Sequence, residues 1–316
     1  MKRLAVFMAL LALPAASHAA SQGGEPVALV TAESLNQLLV VDLGSGEVIR
    51  RLPMPSDPEN VETTAADDAA IVVSPRAGAV TLLALPRLRV RRTIRGFRAP
   101  HIAAFSPNGR YAYVTDDGSG RLVVIGLARG RIVGRTFVGF GAHHMAFRPH
   151  HHELWIALGE RAQSIAIVDT TYAAHPRRKA FFSPGGLAHD LGFPAGGRRL
   201  WVTSDDRSTV TVFDARTRRR LFALPAGSPP QHVAFRRYAY VTSGNDGRLR
   251  IFSVGGRLLG VATIPVGSFN LSVGGGPVLT SSLTNGTLTK LGMSGRLLLS
   301  KRVAPAARDA ALAVLP

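Results

Sequence analysis

The sequence contains no cysteine. Disulfide bonds, a lipid-modified cysteine and a thiol nucleophile are therefore excluded, and the folded chain has to be stabilised by packing alone. Long apolar runs are missing as well, because after residue 20 no segment approaches the roughly 20 apolar residues that a membrane-spanning helix needs. These absences favour a chain without a membrane span that is held together by its core.

Acidic residues and lysine are both scarce. The chain has 38 Lys and Arg residues against 20 Asp and Glu, a formal net charge of +18, and lysine occurs only at positions 2, 179, 290 and 301. An arginine-rich surface favours a polyanionic partner such as an envelope polymer, anionic lipid or nucleic acid. Codon usage in a GC-rich bacterial genome would produce the same composition, so the charge alone locates no binding surface.

Residues 1–20 have the organisation of a secretory signal peptide. A basic start precedes an apolar run (4–16) and a small-residue cleavage site that ends at Ala19 or Ala20. The sequence therefore predicts that this segment is removed and that residues 21–316 form a single domain. We expect this domain to be secreted or located in the periplasm or cell envelope.

Stretches of similar sequence recur along the chain. The clearest copies are YAYVTDDGSGRLVVI (111–125), LWVTSDDRSTVTVFD (200–214) and YAYVTSGNDGRLRIF (238–252), and weaker copies begin at Val27, Ala70, Leu154 and Val278. Seven units of several short strands, repeated about every forty residues, predict an all-β protein, a seven-bladed β-propeller.

Each unit is predicted to contain four antiparallel strands, and the short strand after each Gly/Pro-rich link is placed nearest the propeller axis. Alternating residues such as Val210–Phe213 and turn sequences such as Asn245–Gly247 support this division. The chain enters at Val27 with a second strand and ends, at 308–314, with a first strand. We therefore expect the C-terminal strand to complete the N-terminal blade and close the ring.

The units resemble the YVTN-type β-propeller repeat. That repeat combines a Tyr-Val-Thr-Asn strand, a Val-x-Val-Ile-Asp strand, a Thr-Ile-Pro-Val-Gly link and a Ser-Pro-Asp-Gly turn. The matching segments are Tyr113–Asp116, Tyr240–Ser243, Ile165–Asp169, Thr263–Gly267 and Ser106–Gly109. The resemblance covers essentially the whole chain after the signal peptide and implies the propeller fold, whereas proteins with this repeat differ widely in function.

The topology of such a blade assigns its loops to two faces of a disc. Links into the inner strands and turns between second and third strands share one face, here called the upper face, and the remaining turns form the lower face. Residues at the start of the inner strands should therefore surround the upper mouth of one central channel. They are Asn60, His101, His143, His144, His189, Asp190, His232, Asn270 and Asp309. Counted back from the Phe of each strand, His101, His143 and His189 share one register, and His144, Asp190 and His232 share the next.

These residue types allow three interpretations. Imidazole and carboxylate groups that converge suit Zn²⁺ or Cu²⁺, which makes His143, His144, His189 and His232 the candidate metal ligands. In a structural adaptor, the same side chains would only satisfy strand ends in a water-filled channel. A hydrolase or lyase would use one histidine as general base, oriented by Asp190 or by Asp309. No nucleophile motif accompanies them, so a binding or scaffold protein is favoured over an enzyme.

The segment His150–His152 is the most conspicuous histidine cluster in the sequence. It is predicted to lie in a turn of the lower face, away from the other histidines. Consecutive side chains in a tight turn point in different directions, so we do not expect this segment to be the main metal site.

The lower face is predicted to be basic. Its turns contain Arg87, Arg89, Arg91, Arg92, Arg110, Arg129, Arg131, Arg177, Arg178, Lys179, Arg198, Arg199, Arg216, Arg218, Arg219, Arg220, Arg236 and Arg237. Guanidinium groups bind phosphate well, whereas base-stacking aromatics are scarce among these turns. The sequence thus predicts a monomer that contacts an anionic envelope polymer or another envelope protein, and argues against sequence-specific binding of nucleic acid.

Overall fold

The computed structural model describes residues 24–315 apart from 160–162, 205 and 228, so the predicted signal peptide lies outside the described residues. The strands form seven antiparallel sheets of four strands each, which are the blades of a ring. The predicted seven-bladed β-propeller is therefore confirmed. We number the blades in chain order.

The blades have the following strands, with the inner strand first except in blade 1, whose inner strand comes from the end of the chain. Blade 1 contains β1 (Glu25–Ala32), β2 (Gln37–Asp42) and β3 (Val48–Pro53); blade 2 contains β4 (Asn60–Thr63), β5 (Ala69–Ser74), β6 (Ala79–Ala84) and β7 (Arg89–Arg95); blade 3 contains β8 (Pro100–Phe105), β9 (Tyr111–Asp116), β10 (Arg121–Gly126) and β11 (Arg131–Phe137). Blade 4 contains β12 (Met145–Phe147), β13 (Glu153–Ala157), β14 (Ile165–Asp169) and β15 (Arg177–Phe182); blade 5 contains β16 (Leu191–Gly192), β17 (Arg199–Thr203), β18 (Thr209–Asp214) and β19 (Arg220–Pro225). Blade 6 contains β20 (Val233–Phe235), β21 (Ala239–Ser243), β22 (Arg248–Phe252) and β23 (Leu258–Thr263); blade 7 contains β24 (Ser272–Val273), β25 (Val278–Ser281), β26 (Thr287–Leu291) and β27 (Leu297–Arg302), and β28 (Ala310–Leu315) completes blade 1.

Short 3₁₀ helices occupy some of the turns. They span Glu33–Leu35, Leu85–Arg87 and Asp117–Ser119. The third ends at Gly120, whose φ of 65° is in the left-handed region, where a residue without Cβ is favoured. Within the described residues, no helix has the length and apolar character needed to span a membrane.

The ring is closed by its two ends. Strand β28 pairs antiparallel with β1 over six residue pairs, from Glu25 opposite Leu315 to Val30 opposite Ala310. Blade 1 therefore receives its inner strand from the end of the chain, as the phase of the repeat predicted, and the inner edge of β1 is paired.

Apolar side chains pack between blades rather than within one sheet. The described residues form seven hydrophobic clusters, one at each interface between neighbouring blades. At the interface of blades 3 and 4, for example, Tyr113 and Val124 meet Leu154 and Ile156. The strands are apolar on both faces because each blade is covered on both sides, and each fully buried side chain of this size contributes about 1.5–3 kcal/mol.

A threonine at the end of the second strand links neighbouring blades. Its Oγ1 donates to the carbonyl oxygen of the residue that begins the mouth of the next blade. These bonds join Thr31 to Glu59 (3.2 Å), Thr115 to His143 (2.7 Å), Thr203 to Gln231 (2.7 Å) and Thr242 to Phe269 (2.5 Å). The Val-Thr pairs of the repeat therefore fix the height at which the next blade presents its mouth residues.

Candidate functional site

Two stacked rings of side chains surround the upper mouth of the channel. The outer ring consists of Glu59, His101, His143, His189, Gln231, Phe269 and Arg308, and the inner ring consists of Asn60, Ile102, His144, Asp190, His232, Asn270 and Asp309. Together they enclose a cavity of about 330 Å³, lined by the whole outer ring and by most of the inner ring. Each blade contributes one residue to each ring, because the repeat brings the same two positions of every unit to the same height along the channel.

Inner-ring carboxylates and amides connect one blade to the next. Asp190 accepts hydrogen bonds from its neighbour Leu191 N (2.7 Å) and from Val233 N in the next blade (2.9 Å). Asp309 repeats this pattern with Ala310 N (2.8 Å) and Val61 N (3.0 Å). The carboxylate oxygens thus accept hydrogen bonds from backbone N–H groups at the start of the inner strands, where those groups have no strand partner. Both acids therefore have a structural role at the mouth in addition to their charge.

Five imidazoles from blades 3 to 6 lie inside the mouth. The rings of His101 and His143 are stacked, with centroids 3.6 Å apart and an interplanar angle of 12°. His144 lies between the others, with centroids 4.4 Å from His232 and 4.9 Å from His189. The register predicted from the sequence thus brings all five histidines into one cluster, although they are spread along the chain from position 101 to position 232.

Carboxylates lie on the Nδ1 side of four of the five rings. Asp190 is 3.8 Å from Nδ1 of His144 and 3.5 Å from Nδ1 of His232. Asp117 is 3.7 Å from Nδ1 of His143, and Glu59 is 3.8 Å from Nδ1 of His101. This placement resembles the carboxylate–histidine–metal arrangement, in which an acid beside one ring nitrogen orients the imidazole, and in it Nε2 would be the atom available to an ion.

Burial changes the protonation of two of these histidines. Desolvation, with a smaller contribution from the neighbouring imidazoles, lowers the pKa of His101 and of His144 well below the usual value of 6.5. Both rings are therefore neutral at pH 7, which is the form that coordinates metal. The Nε2 atom of His101 is buried and has no hydrogen-bond partner.

The cluster offers two triads of nitrogen ligands that share His144. One consists of His101, His143 and His144, and the other of His144, His189 and His232; within each triad, ligand atoms lie no more than 4.8 Å from one another. Tetrahedral Zn²⁺ with bonds near 2.0 Å requires ligand atoms about 3.3 Å apart. The imidazole side chains would have to rotate to bring these atoms close enough for such an ion.

A second chamber continues the channel below the inner ring. It has a volume of about 280 Å³ and contains Glu62 as well as Asp190 and Asp309. His144 and His232 line both cavities, so they lie at the neck between them. Burial, reinforced by the charge of Asp309, raises the pKa of Glu62 to about 8, and burial also raises the pKa of Asp309.

All nine candidate residues predicted from the sequence lie at the mouth or at its neck. The predicted metal set omitted His101, which the structure stacks on His143. Sequence reasoning also missed Glu59, Gln231 and Arg308 of the outer ring, which occupy the positions of the histidines in other blades. Reading the residue before each inner-ring position would have found all three.

The residues predicted for the lower face are found there. The side chains of His150, His151 and His152 are exposed in the turn between β12 and β13, and they belong to none of the metal-compatible groups among the described residues. The lower-face cations are exposed as well, with the exception of Arg199, which is half-buried and donates to Val254 O (3.0 Å).

The fold defines the chain as a seven-bladed β-propeller, and solved structures share it. A functionally unknown protein from Desulfotomaculum acetoxidans is 12% identical and has a TM-score of 0.80, with 92% of this chain and 99% of that chain covered. Apo AztD from Citrobacter koseri is 11% identical, with a TM-score of 0.68 and coverage of 92% and 98%. Hydrazine synthase from Kuenenia stuttgartiensis is 14% identical, with a TM-score of 0.68 and coverage of 80% and 89%.

At these identities the likeness concerns the fold alone. No protein-family model matches the chain, and no curated protein matches it. The resemblance to the YVTN repeat therefore remains at the level of the repeat motif, and the function has to be argued from the site.

Proposed function

We propose that this chain is an exported β-propeller that binds one Zn²⁺ or Cu²⁺ ion at the histidine cluster of its upper mouth. The observation that carries this proposal is the convergence of five imidazoles from four consecutive blades into two overlapping ligand triads. A channel that merely held water would not need its imidazoles to be adjacent, nor His144 to be buried among the other rings, since burying a titratable ring has a free-energy cost.

The chemistry of the donors selects the class of ion. All ligands of both triads are imidazole nitrogens, which suit Zn²⁺ and Cu²⁺ and are poor ligands for Ca²⁺ or Mg²⁺. The carboxylates of Asp117 and Asp190 lie beside the Nδ1 atoms of their histidines and act as orienting groups. His144 belongs to both triads, so its loss should affect binding more than the loss of any other histidine.

The lower face supplies a second part of the proposal, which is contact with an anionic polymer of the cell envelope. Its arginines are exposed, and the acidic residues of the mouth lie on the opposite face. With metal ligands on one face and guanidinium groups on the other, the protein can bind an ion at the mouth while its lower face is attached to a polyanion. Export follows from the predicted signal peptide.

The metal proposal is tested with untagged protein lacking residues 1–20. Isothermal titration with Zn²⁺ and with Cu²⁺, together with elemental analysis after dialysis, should give one ion per chain for the wild type. His144→Ala removes the ligand that both triads share, so we expect its affinity to fall by at least a hundredfold. Circular dichroism and thermal melting verify that the variant remains folded.

The matched control is the double substitution His151→Ala/His152→Ala in the exposed lower turn. It removes two histidines without touching the mouth, and its affinity should equal that of the wild type. If the wild type binds no ion, or if the control loses as much affinity as His144→Ala, the mouth is not a metal site.

A further inference from the structure

A groove opens on the lower face between blades 2 and 3. It has a volume of about 540 Å³, against about 330 Å³ for the cavity at the mouth. Its walls are lower-face turns, with Thr64, Asp68, Ala69 and Arg91 from blade 2 and Arg110, Tyr111, Leu127, Arg129, Arg131 and Val133 from blade 3. The groove is therefore separate from the histidine cluster, which belongs to the upper face.

The groove exists because blade 2 does not bridge this interface. At the other six interfaces, a side chain of one blade donates a hydrogen bond to a carbonyl oxygen in a lower-face turn of the next. These bonds join Arg50 to Arg87 (3.4 Å), Tyr113 to Ala173 (2.7 Å), Arg148 to Gly197 (2.9 Å), Arg199 to Val254 (3.0 Å), Tyr240 to Met293 (3.0 Å) and Lys290 to Leu43 (2.8 Å). Among the described residues, no such bond runs from blade 2 to blade 3.

The sequence of β5 accounts for this difference. The strand registers align Ala69 with Arg199 of blade 5 and Tyr238 of blade 6. They likewise align Ile71 with Tyr240, one of the bridging residues. Blade 2 thus has small or purely apolar side chains where blades 3, 5 and 6 have the long polar ones that bridge. Among the described residues, no side chain from its other strands bridges instead, so the space between the turns stays open.

The groove is strongly basic. Arg91, Arg110, Arg129 and Arg131 line it, all four are exposed, and none forms an ion pair with another described residue. The single acid, Asp68, accepts a hydrogen bond from Thr64 Oγ1 at 2.5 Å. Four guanidinium groups against one carboxylate leave a net charge of +3 around one cavity.

We infer that this groove binds a phosphate group of a phosphate-containing polymer, and this inference rests on the proposed contact between the lower face and an anionic polymer. Guanidinium forks match phosphate oxygens in pairs, and several of them are needed to balance an anion with more than one charge. Leu127 and Val133 add apolar wall, which excludes water from one side of the ion pairs and strengthens them. The other arginines of the lower face attract the remainder of the polymer through nonspecific electrostatic interactions.

Three variants separate binding in the groove from general attraction to the basic face. Arg91→Gln/Arg129→Gln/Arg131→Gln removes three positive charges from the groove. Arg216→Gln/Arg218→Gln/Arg219→Gln removes three from an exposed turn of blade 5 and serves as the charge-matched control. Ala69→Tyr keeps every charge and fills the groove with the residue that blade 6 has at this position.

Isothermal titration with linear inorganic polyphosphate at 50 and 200 mM NaCl is the measurement, and thermal melting checks the fold of each variant. We expect the groove variant and Ala69→Tyr to lose affinity by about tenfold or more, and the control by about threefold or less.

If the two triple variants lose the same affinity for polyphosphate and Ala69→Tyr has no effect, the inference of a phosphate site in the groove is wrong. The polymer would then be bound by the basic face as a whole. A wild type that does not bind polyphosphate would overturn the polymer proposal itself. If such a wild type binds phosphatidylglycerol vesicles, the partner of the lower face is a lipid surface. The proposed polymer contact and the phosphate site in the groove are then both wrong.

Discussion

Burial determines how individual titratable residues behave along the channel. At the mouth, desolvation lowers the pKa of His101 and of His144, so both rings stay neutral at pH 7 and would bind an ion without first losing a proton. In the chamber below, the same effect raises the pKa of Glu62 to about 8. Burial therefore favours the uncharged form of these histidines and of Glu62. Both changes reduce the free-energy cost of burying titratable groups in the folded channel.

Glu62 provides a test of this account at the scale of one residue. Its folded pKa of about 8 exceeds the unfolded value of 4.5, so the folded chain holds a proton that the unfolded chain has lost between these two pH values. Its contribution to stability is therefore fully present below pH 4.5 and is lost as pH rises through 8, with a slope of up to about 1.4 kcal/mol per pH unit. Glu62→Gln abolishes this dependence.

Urea unfolding at pH 5, 7 and 9 measures the effect. The two proteins should have similar free energies of unfolding at pH 5, and Glu62→Gln should become increasingly more stable than the wild type towards pH 9. Taking the difference between the two proteins cancels the titration of the histidines. A difference that does not change with pH would mean that the carboxyl of Glu62 is solvated in the folded protein.

Residues of the mouth differ in how well a single sequence predicts them. The histidines could be found because their distance from the strand's Phe repeats between blades, and the repeat fixes the height of every inner strand. Glu59 and Arg308 carry no such signal of their own, and their role follows only from their place in the outer ring. The hydrogen bonds of Asp190 and Asp309 could not be predicted, because their partners lie in the next blade. Asp190 accepts from the amide of Val233, and Asp309 accepts from the amide of Val61.

Among the secondary-structure elements, the second strand of each blade connects the repeat to the mouth. In blades 1, 3, 5 and 6 its threonine bonds the carbonyl of an outer-ring residue in the next blade, as Thr115 does with His143. Blade 4 has Ala157 at this position, which offers no hydroxyl to the outer-ring residue His189 of blade 5, and the bond from His143 N to Ala157 O (2.9 Å) lies within blade 4. The threonine thus positions a candidate metal ligand from the neighbouring blade.

We predict that Thr115→Val weakens both the fold and the proposed metal site. The substitution preserves the shape of the side chain and leaves the buried carbonyl of His143 without its donor, which costs about 1–2 kcal/mol of unfolding free energy. Because the carbonyl is then free to move, the His143 ring is held less firmly, and the affinity for Zn²⁺ should fall by about three- to tenfold. Urea unfolding and isothermal titration measure the two effects.

Thr280→Val is the matched control. Its Oγ1 bonds Asn270 O (2.6 Å) within blade 7, which contributes no histidine to the cluster. A comparable loss of stability with unchanged metal affinity is expected. If both variants lower the affinity equally, the threonines act through overall stability and do not position the ligands.

At the scale of the whole molecule, the two faces of the disc are chemically different. The clustered histidines and most of the mouth acids lie at the upper end of the channel, and exposed arginines lie in the lower turns. Each face collects one side chain type from several blades because the repeat returns to the same height about every forty residues. The sequence predicted this division from topology, but it could not predict the groove between blades 2 and 3, which depends on bridging bonds at the other six interfaces.

The integrity of both faces depends on closure of the ring by β28. Six residue pairs join this strand to β1, and its alanines at 310, 311 and 313 are buried in the clusters on either side of blade 1. Removal of residues 310–316 would expose the inner edge of β1 and open both clusters. We therefore predict that the truncated protein has no cooperative thermal transition and binds the dye ANS.

Complementation distinguishes loss of this strand from a general effect of truncation. A synthetic peptide of residues 308–316, added in excess, should restore a cooperative transition because it can pair with β1 as a separate strand. A peptide with Ala311 and Ala313 replaced by Asp would bury two unpaired charges in the cluster between blades 1 and 2, so it should fail. If the truncated protein instead melts cooperatively and retains metal affinity without peptide, the remaining 27 strands form a stable open ring, and the mouth does not depend on closure.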